Sequence, residues 1–455
     1  MQKVLDMDIL TPILAYMAVQ GSKKVILESN PREPDLAQFS IIAYNPVHEV
    51  RFEKNKLSID GSYIEKDPLE ALYELTVKKN HADLPFIGGA IGYVGYDLLS
   101  VYEDIGEIPQ DTIGTPDMHF FLYESYTVFD HKSKKVYLIE DNIYSHRTEN
   151  EMKQALDKQV FALEHIDFSK VKSHQLPIFS FQPHLSKSDF ETIVGTAKQL
   201  IREGDMFQCV LSQRFSSSFD GSPLDFYRQL RLTNPSNYLY FYDFDEYQII
   251  GASPESLVSV KGSEVVTNPI VGTRPRGRDS LEDEKLSSDL LTDPKETAEH
   301  RMLVDLGRND IGKIASAGSV RVTKYMEVEY FKYVMHLTSL VKGELRDNYH
   351  SLDALKSTLP AGTVSGAPKI RAMKRIYELE KEKRGIYAGA VGYLSASSDM
   401  DFAIAIRTMV VKDNKAYVQA GAGIVFDSIA ENEYFETINK AKALTQIGEK
   451  NDFID

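Results

Sequence analysis

Two pairs of glutamates have a spacing that would let them bind a divalent cation. Glu296 and Glu299 are three residues apart in one segment with helical spacing, and Glu433 and Glu436 repeat the pattern in another. Side chains at this spacing share one face of a helix. If the two faces were opposed across a cavity, their carboxylates would offer the hard oxygen ligands that Mg²⁺ prefers.

The same glutamates also fit ordinary helical roles. Glu296 stands at the third position after Asp293, where a glutamate completes a capping box, and Glu436 is placed to form an ion pair with Lys440 one turn later. The spacing alone leaves both interpretations open.

A second candidate is the stretch PAGTVSGAPKIRAM, residues 360–373. Thr363 and Ser365 supply hydroxyl groups in a loop of small residues, and a segment with helical spacing starts after Pro368. The exposed N–H groups of a helix N-terminus suit a phosphate or a carboxylate. An ordinary capped helix after a loop explains this stretch equally well.

Composition narrows the class of protein. The 455 residues are 42% hydrophobic and 26% charged, with a net charge of −15, which argues against a nucleic-acid surface. No apolar run is long enough to span a bilayer, and the first residues lack the pattern of a signal peptide. The single cysteine, Cys209, excludes an internal disulfide and indicates a reducing compartment, so we expect a cytoplasmic protein.

Predicted secondary-structure elements must position these residues. The first third of the chain is rich in predicted strands, and the rest contains both strands and helices. The polar segment 165–187 carries Pro177 and Pro183, and we place a boundary there between domains 1–165 and 180–452. Ser188 with Glu191, and Ser428 with Glu431, have the spacing of helix caps. We predict strands over 206–215, 334–345 and 401–411, and a solvated loop with a short helix over 279–293.

The period of the strand 206–215 places Gln208, Val210, Ser212 and Arg214 on one face and Cys209 on the other, among apolar residues. Neither a glycine-rich elbow nor a plausible base flanks Cys209. We therefore predict a packed cysteine and not a nucleophile.

Many short motifs in this chain resemble those of the chorismate-utilising enzymes, and most closely those of anthranilate synthase component I. They are distributed over most of the chain in the family's order: ILES, PFIGGAIGYVGYD, EGDMFQCVLSQRF, SPESLV, NPIVGTRPRG, EHRMLVDLGRNDIG, VMHLTSLVKGEL, PAGTVSGAPKIRAM, RGIYAGAVGYLS, IAIRT, QAGAGIV and ENEYFETINKAKAL. The resemblance implies an α+β fold with large antiparallel sheets, flanked by helices, around a deep cleft.

The resemblance also implies a reaction and its residues. Ammonia adds to the ring of chorismate, a hydroxyl leaves, and pyruvate is eliminated to give anthranilate, the first committed step of tryptophan biosynthesis. Mg²⁺ would bind the ring carboxylate, with Glu299 and Glu436 as direct ligands and Glu296 and Glu433 holding its water molecules. Glu255 would protonate the leaving hydroxyl, and His336 would assist proton transfer.

Further residues correspond to the family's substrate site. Arg407 would bind the second carboxylate of chorismate bidentately, because an unpaired arginine among apolar residues is otherwise unfavourable. The remaining substrate contacts implied by the resemblance are Gly272, Thr363, Tyr387, Gly421, Ala422, Gly423 and Lys440.

Two positions and one short motif distinguish branches of the family. Isochorismate- and salicylate-forming relatives carry a lysine base where this chain has Gln208. Aminodeoxychorismate relatives carry a nucleophilic lysine where it has Val271, and they tend to read GSITGAPK in place of GTVSGAPK. All three differences favour anthranilate formation. Val271 is bulkier than the family's usual alanine and would narrow the ammonia side of the pocket.

The resemblance implies two partners. The chain shows no glutaminase signature, so ammonia would come from a glutamine amidotransferase subunit. Tryptophan would inhibit the enzyme at a separate site formed by Ser29, after Glu28, together with Asn234, Pro235, Ser236 and Tyr238. Asn237 replaces the family's proline at that site, and residues 234–240 also fit a simple turn and aromatic strand.

The sequence leaves two other functions open. One is aminodeoxychorismate synthase component I, an enzyme of the folate pathway. The other is a non-catalytic regulatory or binding paralogue, which the full set of carboxylates disfavours.

Overall fold

The computed structural model describes residues 1–6, 10–29, 39–79, 83–167, 176–331 and 334–447. Its strands, in chain order, are β1 (Gln2–Asp6), β2 (Val25–Glu28), β3 (Phe39–Ala43), β4 (His48–Glu53), β5 (Lys56–Ile59), β6 (Ser62–Ile64), β7 (Gly89–Val94), β8 (Met118–Tyr123), β9 (Ser125–Asp130), β10 (Lys135–Glu140), β11 (Gln182–Pro183), β12 (Gln208–Ser218), β13 (Tyr238–Asp243), β14 (Tyr247–Ser253), β15 (Ser256–Lys261), β16 (Glu264–Thr267), β17 (Ile270–Pro275), β18 (Arg321–Tyr330), β19 (Val334–Glu344), β20 (Gly366–Ala367), β21 (Ala390–Ser395), β22 (Met400–Ile404), β23 (Thr408–Lys412) and β24 (Lys415–Ile424).

The α-helices of the same residues are α1 (Pro12–Ala18), α2 (Pro68–Thr76), α3 (Glu149–Glu164), α4 (Lys187–Arg202), α5 (Pro223–Thr233), α6 (Ser280–Thr292), α7 (Pro294–Gly312), α8 (Ser351–Thr358), α9 (Lys369–Glu380) and α10 (Ala430–Thr445). Short 3₁₀ turns cover Tyr96–Val101 and Gly362–Val364.

The described strands form two twelve-stranded sheets whose neighbouring strands are antiparallel. In the first sheet the order is β1-β10-β9-β3-β2-β13-β14-β23-β24-β12-β11, with β20 also paired to β12. In the second it is β17-β19-β16-β15-β22-β21-β7-β8-β4-β5-β6, with β18 also paired to β19. The predicted α+β class with large antiparallel sheets is confirmed.

The sheets pack face to face through an aromatic core. Tyr240 and Tyr242 of β13 meet Tyr93 of β7 and Phe121 of β8 there, and all four side chains are buried. Helices α1, α3, α5 and α10 cover the outer face of the first sheet, and α2, α7 and α8 cover that of the second. Helix α9 packs against β12 and β20 of the first sheet, and its Met373 and Tyr377 also join the core of the second. Both sheets contain strands from residues 1–165 and from residues 180–452. The domain division stays a prediction, and residues 168–175 of the proposed boundary lie outside the described part.

Several local predictions need correction. Helix α4 is capped by Ser186, whose hydroxyl accepts from the Asp189 N–H, and not by Ser188 with Glu191. The Ser428 hydroxyl accepts from the Val425 N–H, and α10 begins after Ile429 without a side-chain cap. Residues 280–292 form a complete helix, α6, in place of the predicted loop with a short helix.

One predicted strand is divided into two at a position that matters for the site. Residues 401–411 form β22 and β23, which belong to different sheets, with Ala405–Arg407 between them. Arg407 has φ +50°, the left-handed conformation that ends a strand. The break therefore places this arginine at the junction of the two sheets.

Candidate active site

A cavity of about 580 Å³ lies where β12, β17, β19 and β24 approach helices α7 and α10. It gathers residues that are far apart in the sequence. Its wall includes nine of the residues predicted to act in catalysis, substrate binding or metal binding: Glu255, Gly272, Glu299, His336, Thr363, Tyr387, Arg407, Gly421 and Lys440.

Glu255 follows β14 at the cavity wall, where the loss of solvent raises the pKa of its carboxyl from 4.5 to about 7. The nearby Thr363 hydroxyl and the Lys440 ammonium oppose part of this rise. Its backbone carbonyl accepts a hydrogen bond from the Ile404 N–H, which anchors it to β22. At neutral pH a large share of the carboxyl carries its proton, as a general acid requires.

His336 projects from β19 into the cavity, and its ring has a defined tautomer. Nδ1 lies 2.8 Å from the Gly272 carbonyl oxygen, which only accepts, so Nδ1 carries the hydrogen. Burial lowers the pKa of His336, which favours the neutral ring. The lone pair of Nε2 is therefore left to accept a proton.

Gly272 holds the carbonyl that orients His336 and has a conformation that requires glycine. Its φ is +68°, and a Cβ atom there would lie 2.9 Å from Oε2 of Glu296 and 2.8 Å from Cδ1 of Leu290. The absence of a side chain thus lets β17 approach the carboxylates of α7.

Thr363 lies in the 3₁₀ turn Gly362–Val364, which the Ser365 hydroxyl holds by donating to the Ala361 carbonyl at 2.7 Å. Its own hydroxyl oxygen is buried near the Glu255 carboxyl, and within the described part of the chain it makes no hydrogen bond of good geometry. The turn therefore offers Thr363 to a ligand. Helix α9 begins at Lys369, directly after its N-cap Pro368, as the helical spacing predicted.

Arg407 and Lys440 stand together at one side of the cavity. Arg407 donates from Nη1 to the Lys440 carbonyl at 2.5 Å, and Lys440 Nζ donates to the Gly421 carbonyl at 3.0 Å. Both residues also line an adjoining open groove with Glu436. The cavity and the groove thus share two cations, which suit a ligand carboxylate in a chain of net charge −15.

Two glycines of β24 make room for neighbouring side chains. A Cβ atom on Gly421 would lie 2.8 Å from the Tyr387 hydroxyl, and one on Gly423 would lie 2.8 Å from Nε2 of Gln208. Ala422 is buried and pairs with Leu211 of β12. Of the three predicted contacts in this strand, only Gly421 is part of the cavity wall.

The two glutamate pairs occupy neighbouring positions on α7 and α10. Glu299 lines the cavity, and its charge, with burial as the larger cause, raises the pKa of Glu296. Burial, and next the charge of Glu436, raise the pKa of Glu433, while Lys295 of α7 opposes that rise from across the gap. Lys295 of α7 therefore lies near Glu433 of α10, while Glu299 lines the cavity and Glu436 lines the adjoining groove.

The chemistry of these donors fits a hard divalent cation, which would relieve the repulsion within each pair. Within the described residues, however, no three acidic, histidine or cysteine side chains are grouped as a metal centre. Glu436 Oε1 lies 2.7 Å from Lys440 Nζ, the ion pair that the sequence left open as an alternative. A cation at this place would compete with Lys440 for Glu436.

These features can be compared with known proteins. The sequence profile of the chorismate binding enzyme family matches residues 23–446.

The chain belongs to the chorismate-binding enzyme family.

Similar members of this family have been named and solved. "Anthranilate synthase component 1" of Lactococcus lactis is 52% identical over 452 residues, which cover 98% of this chain and 99% of that protein. The protein of the same name from Thermus thermophilus is 43% identical over 443 residues, 96% and 95% of the two chains.

Among solved structures, anthranilate synthase component I from Streptococcus pneumoniae TIGR4 is 62% identical, with a TM-score of 0.86, and the match covers 97% of this chain and 99% of that one. The menaquinone-specific isochorismate synthase from Escherichia coli has a TM-score of 0.71 at 19% identity, covering 98% and 95% of the two chains. This second likeness concerns the fold alone.

The residues that distinguish branches of the chorismate-binding family also lie at the site. Gln208 Nε2 donates to Oε1 of Glu299 at 3.2 Å, and its own Oε1 is buried without a partner in the described part. Val271 lines the cavity beside Gly272. Neither side chain is a base or a nucleophile.

Sequence reasoning missed part of the cavity wall. Arg276 lies there, held by Asp283 through a 2.6 Å hydrogen bond, and Tyr330 and Phe331 complete the same side. The basic turn NPIVGTRPRG was a signal for Arg276. Tyr330 and Phe331 lie at the end of β18, and no sequence motif indicated that they belong to the site.

A second cavity, of about 240 Å³, lies between the sheets and includes Ser29, Glu28 and Tyr238 of the predicted inhibitor site. Pro235 and Ser236 instead line the first cavity, with Asn237. Asn234 caps α5, and its side chain donates to the Ala443 carbonyl at 3.0 Å. The segment predicted as one site is thus divided between two cavities.

Proposed function

We propose that this chain catalyses the reaction of chorismate with ammonia to give anthranilate, pyruvate and water. The observation that carries the proposal is the cavity in which Glu255, with its raised pKa, faces the shared cations Arg407 and Lys440. The names of the similar family members support it.

In the first step ammonia attacks the ring of chorismate and forms the carbon–nitrogen bond. The ring hydroxyl leaves as water with the proton of Glu255, and the ammonium group that the attack creates then returns one proton to the Glu255 carboxylate. In the second step the ring loses a proton, its carbon–oxygen bond to the side chain breaks, and the side chain takes a proton to leave as pyruvate. His336 is placed to assist this transfer, because its Nε2 is unprotonated.

Other residues of the cavity bind and orient the substrate. Arg407, with Lys440 beside it, holds one carboxylate, and the Thr363 and Tyr387 hydroxyls add hydrogen bonds. The other carboxylate is directed towards the α7 and α10 glutamates. There Mg²⁺, held by Glu299 and Glu436 with Glu296 and Glu433 behind them, would supply a Lewis acid that withdraws negative charge from the substrate.

Ammonia is supplied by a glutamine amidotransferase subunit in this proposal, and tryptophan inhibits the enzyme from the second cavity. Tyr238 of that cavity pairs with Ser253 in the sheet, two residues before Glu255. A ligand beside Tyr238 therefore acts on the strand that leads to Glu255.

A reducing, cytoplasmic location completes the proposal. Across the described residues, the helices are too short or too polar to cross a membrane.

The product of the isolated chain tests this function. The purified protein is incubated with chorismate, MgCl₂ and an ammonium salt at alkaline pH, and the products are separated by chromatography. We expect anthranilate. Accumulation of aminodeoxychorismate without anthranilate would support the folate-pathway alternative, which Val271 disfavours because valine cannot act as the nucleophile.

A further inference from the structure

A buried ion pair stands directly behind the substrate cavity. Arg384, which follows α9, and Glu380, at the end of α9, have side chains that are 0% and 4% exposed. Arg384 donates from Nε to one carboxylate oxygen of Glu380 at 2.9 Å and from Nη2 to the other at 2.5 Å. This two-point geometry fixes the plane of the guanidinium.

The outer N–H groups of Arg384 join two walls of the cavity. Nη1 donates to the Val364 carbonyl at 2.6 Å, and Nη2 donates to the Val210 carbonyl at 2.7 Å. Val364 is next to Thr363, and Val210 lies on β12 at the cavity wall. One guanidinium therefore bridges the Thr363 turn and β12, beside the backbone bond from the Val210 N–H to the Ser365 carbonyl.

The same guanidinium supports Tyr387 from behind. It lies 5.5 Å from the centre of the Tyr387 ring. Ser212 donates its hydroxyl to Glu380 at 2.9 Å and lies close enough to the Tyr387 phenol to oppose part of the rise that burial causes in its pKa. Gln419 Nε2 donates to the Ser212 oxygen at 2.8 Å, which leaves Ser212 little freedom to turn. The Ser212 hydroxyl, fixed by Glu380 and Gln419, thus lies beside the Tyr387 phenol.

Stability alone is a weak reason for this arrangement. Burying two charges is costly, and apolar side chains of similar volume often stabilise a core equally well. Apolar residues could not hold the Val364 and Val210 carbonyls or the Ser212 hydroxyl in fixed positions. These are the groups that border the residues facing the substrate.

We propose that Arg384 and Glu380 are positioning residues, which through Val364 and Ser212 hold the Thr363 and Tyr387 hydroxyls at the separation that fits one chorismate molecule. This inference rests on the proposed function, because Thr363 and Tyr387 contact chorismate only if the cavity binds it. Both residues act through others and take no part in the proton transfers.

A double-mutant cycle tests the connection. Ser212→Ala removes one hydroxyl without leaving a buried charge, Tyr387→Phe removes the phenol oxygen, and the double variant combines them. Loss of one hydrogen bond to the substrate raises the KM for chorismate about tenfold in each single variant and leaves kcat within about threefold. The double variant shows the same tenfold rise and not about a hundredfold one.

The ion pair itself is tested with Arg384→Lys, which keeps the charge beside Glu380 but cannot reach both carbonyls. We expect a higher KM for chorismate, with kcat for the folded fraction nearly unchanged. Two matched controls come from outside the cavity. Ser216→Ala removes a serine hydroxyl from the same strand, where it bonds His184. Arg147→Lys changes the arginine that pairs with the buried Glu140. Neither should raise the KM.

The outcomes separate this inference from the proposed function. Anthranilate formation by the wild-type protein is measured first, and its absence overturns the function and the inference together. If the wild-type protein is active but Ser212→Ala and Tyr387→Phe multiply their effects on KM, the positioning role is wrong. A loss of folded protein with unchanged KM in Arg384→Lys would also show that the ion pair is structural only. If Arg384→Lys fails to fold, the serine cycle decides alone.

Discussion

Replacing Glu255 by glutamine should abolish anthranilate formation. The same substitution should also raise the free energy of unfolding relative to that of the wild type as the pH is increased. A glutamine cannot donate the proton that the leaving hydroxyl needs. The stability effect follows from the raised pKa of Glu255, which means that the cavity holds its charged form at a cost.

The size of this effect follows from linkage. The folded chain binds the Glu255 proton more tightly than the unfolded chain does, so the free energy of unfolding falls as the pH rises from 4.5 to about 7. At about 1.36 kcal/mol for each pKa unit, the wild-type protein loses up to about 3 kcal/mol across this window. The glutamine variant loses none of it, so its stability relative to the wild type improves by that amount.

Urea unfolding of both proteins at pH 4.5 and pH 8 measures the change, and comparing the two differences removes any constant cost of the substitution. Glu382→Gln serves as the control, because a hydrogen bond from His184 lowers the pKa of Glu382 and no relative gain is expected. The reasoning is refuted if Glu255→Gln keeps wild-type turnover, or if the difference in stability is the same at both pH values.

The remaining predictions concern the metal, the glycine turn and the inhibitor. Glu299→Gln and Glu436→Gln should each abolish Mg²⁺-dependent turnover with an unchanged circular dichroism spectrum, and undiminished activity of both variants would exclude them as ligands. Gly272→Ala should cost about 1–2 kcal/mol in urea unfolding, because φ is +68°, and should lower turnover by displacing the carbonyl that orients His336; wild-type values for both would contradict this. Ser29→Ala should raise the tryptophan concentration for half-inhibition about tenfold without changing kcat, and unchanged inhibition would remove Ser29 from that site.

The sequence predicted those parts of the site that depend on local pattern. Helix α7 begins where Asp293 and Pro294 indicate, so Glu296 and Glu299 share a face as expected. The period of β12 places Cys209 in the apolar layer, where burial raises the pKa of its thiol to about 12. Helix propensity and the period of the apolar residues predict such features because each feature is set by residues within one helix or strand.

Other features depend on contacts between distant elements and were not predictable. The break at Arg407 arises because β22 and β23 belong to different sheets, a tertiary arrangement that the apolar run IAI conceals. Glu436 forms an ion pair with Lys440. The sequence spacing permits this ion pair and a cation shared with the α7 glutamates equally well, so it could not predict which of the two forms. The Arg384 network joins three segments, which no single motif reveals.

Isotopically labelled ammonium gives the most direct test of the central claim. The purified chain, without an amidotransferase, is incubated with chorismate, MgCl₂ and labelled ammonium. Anthranilate, which carries the nitrogen label, and unlabelled pyruvate are measured in the same sample. We expect both products in equal amounts from the wild-type protein and neither from Glu255→Gln. A labelled product that still carries the side chain, formed without pyruvate, would contradict the central claim.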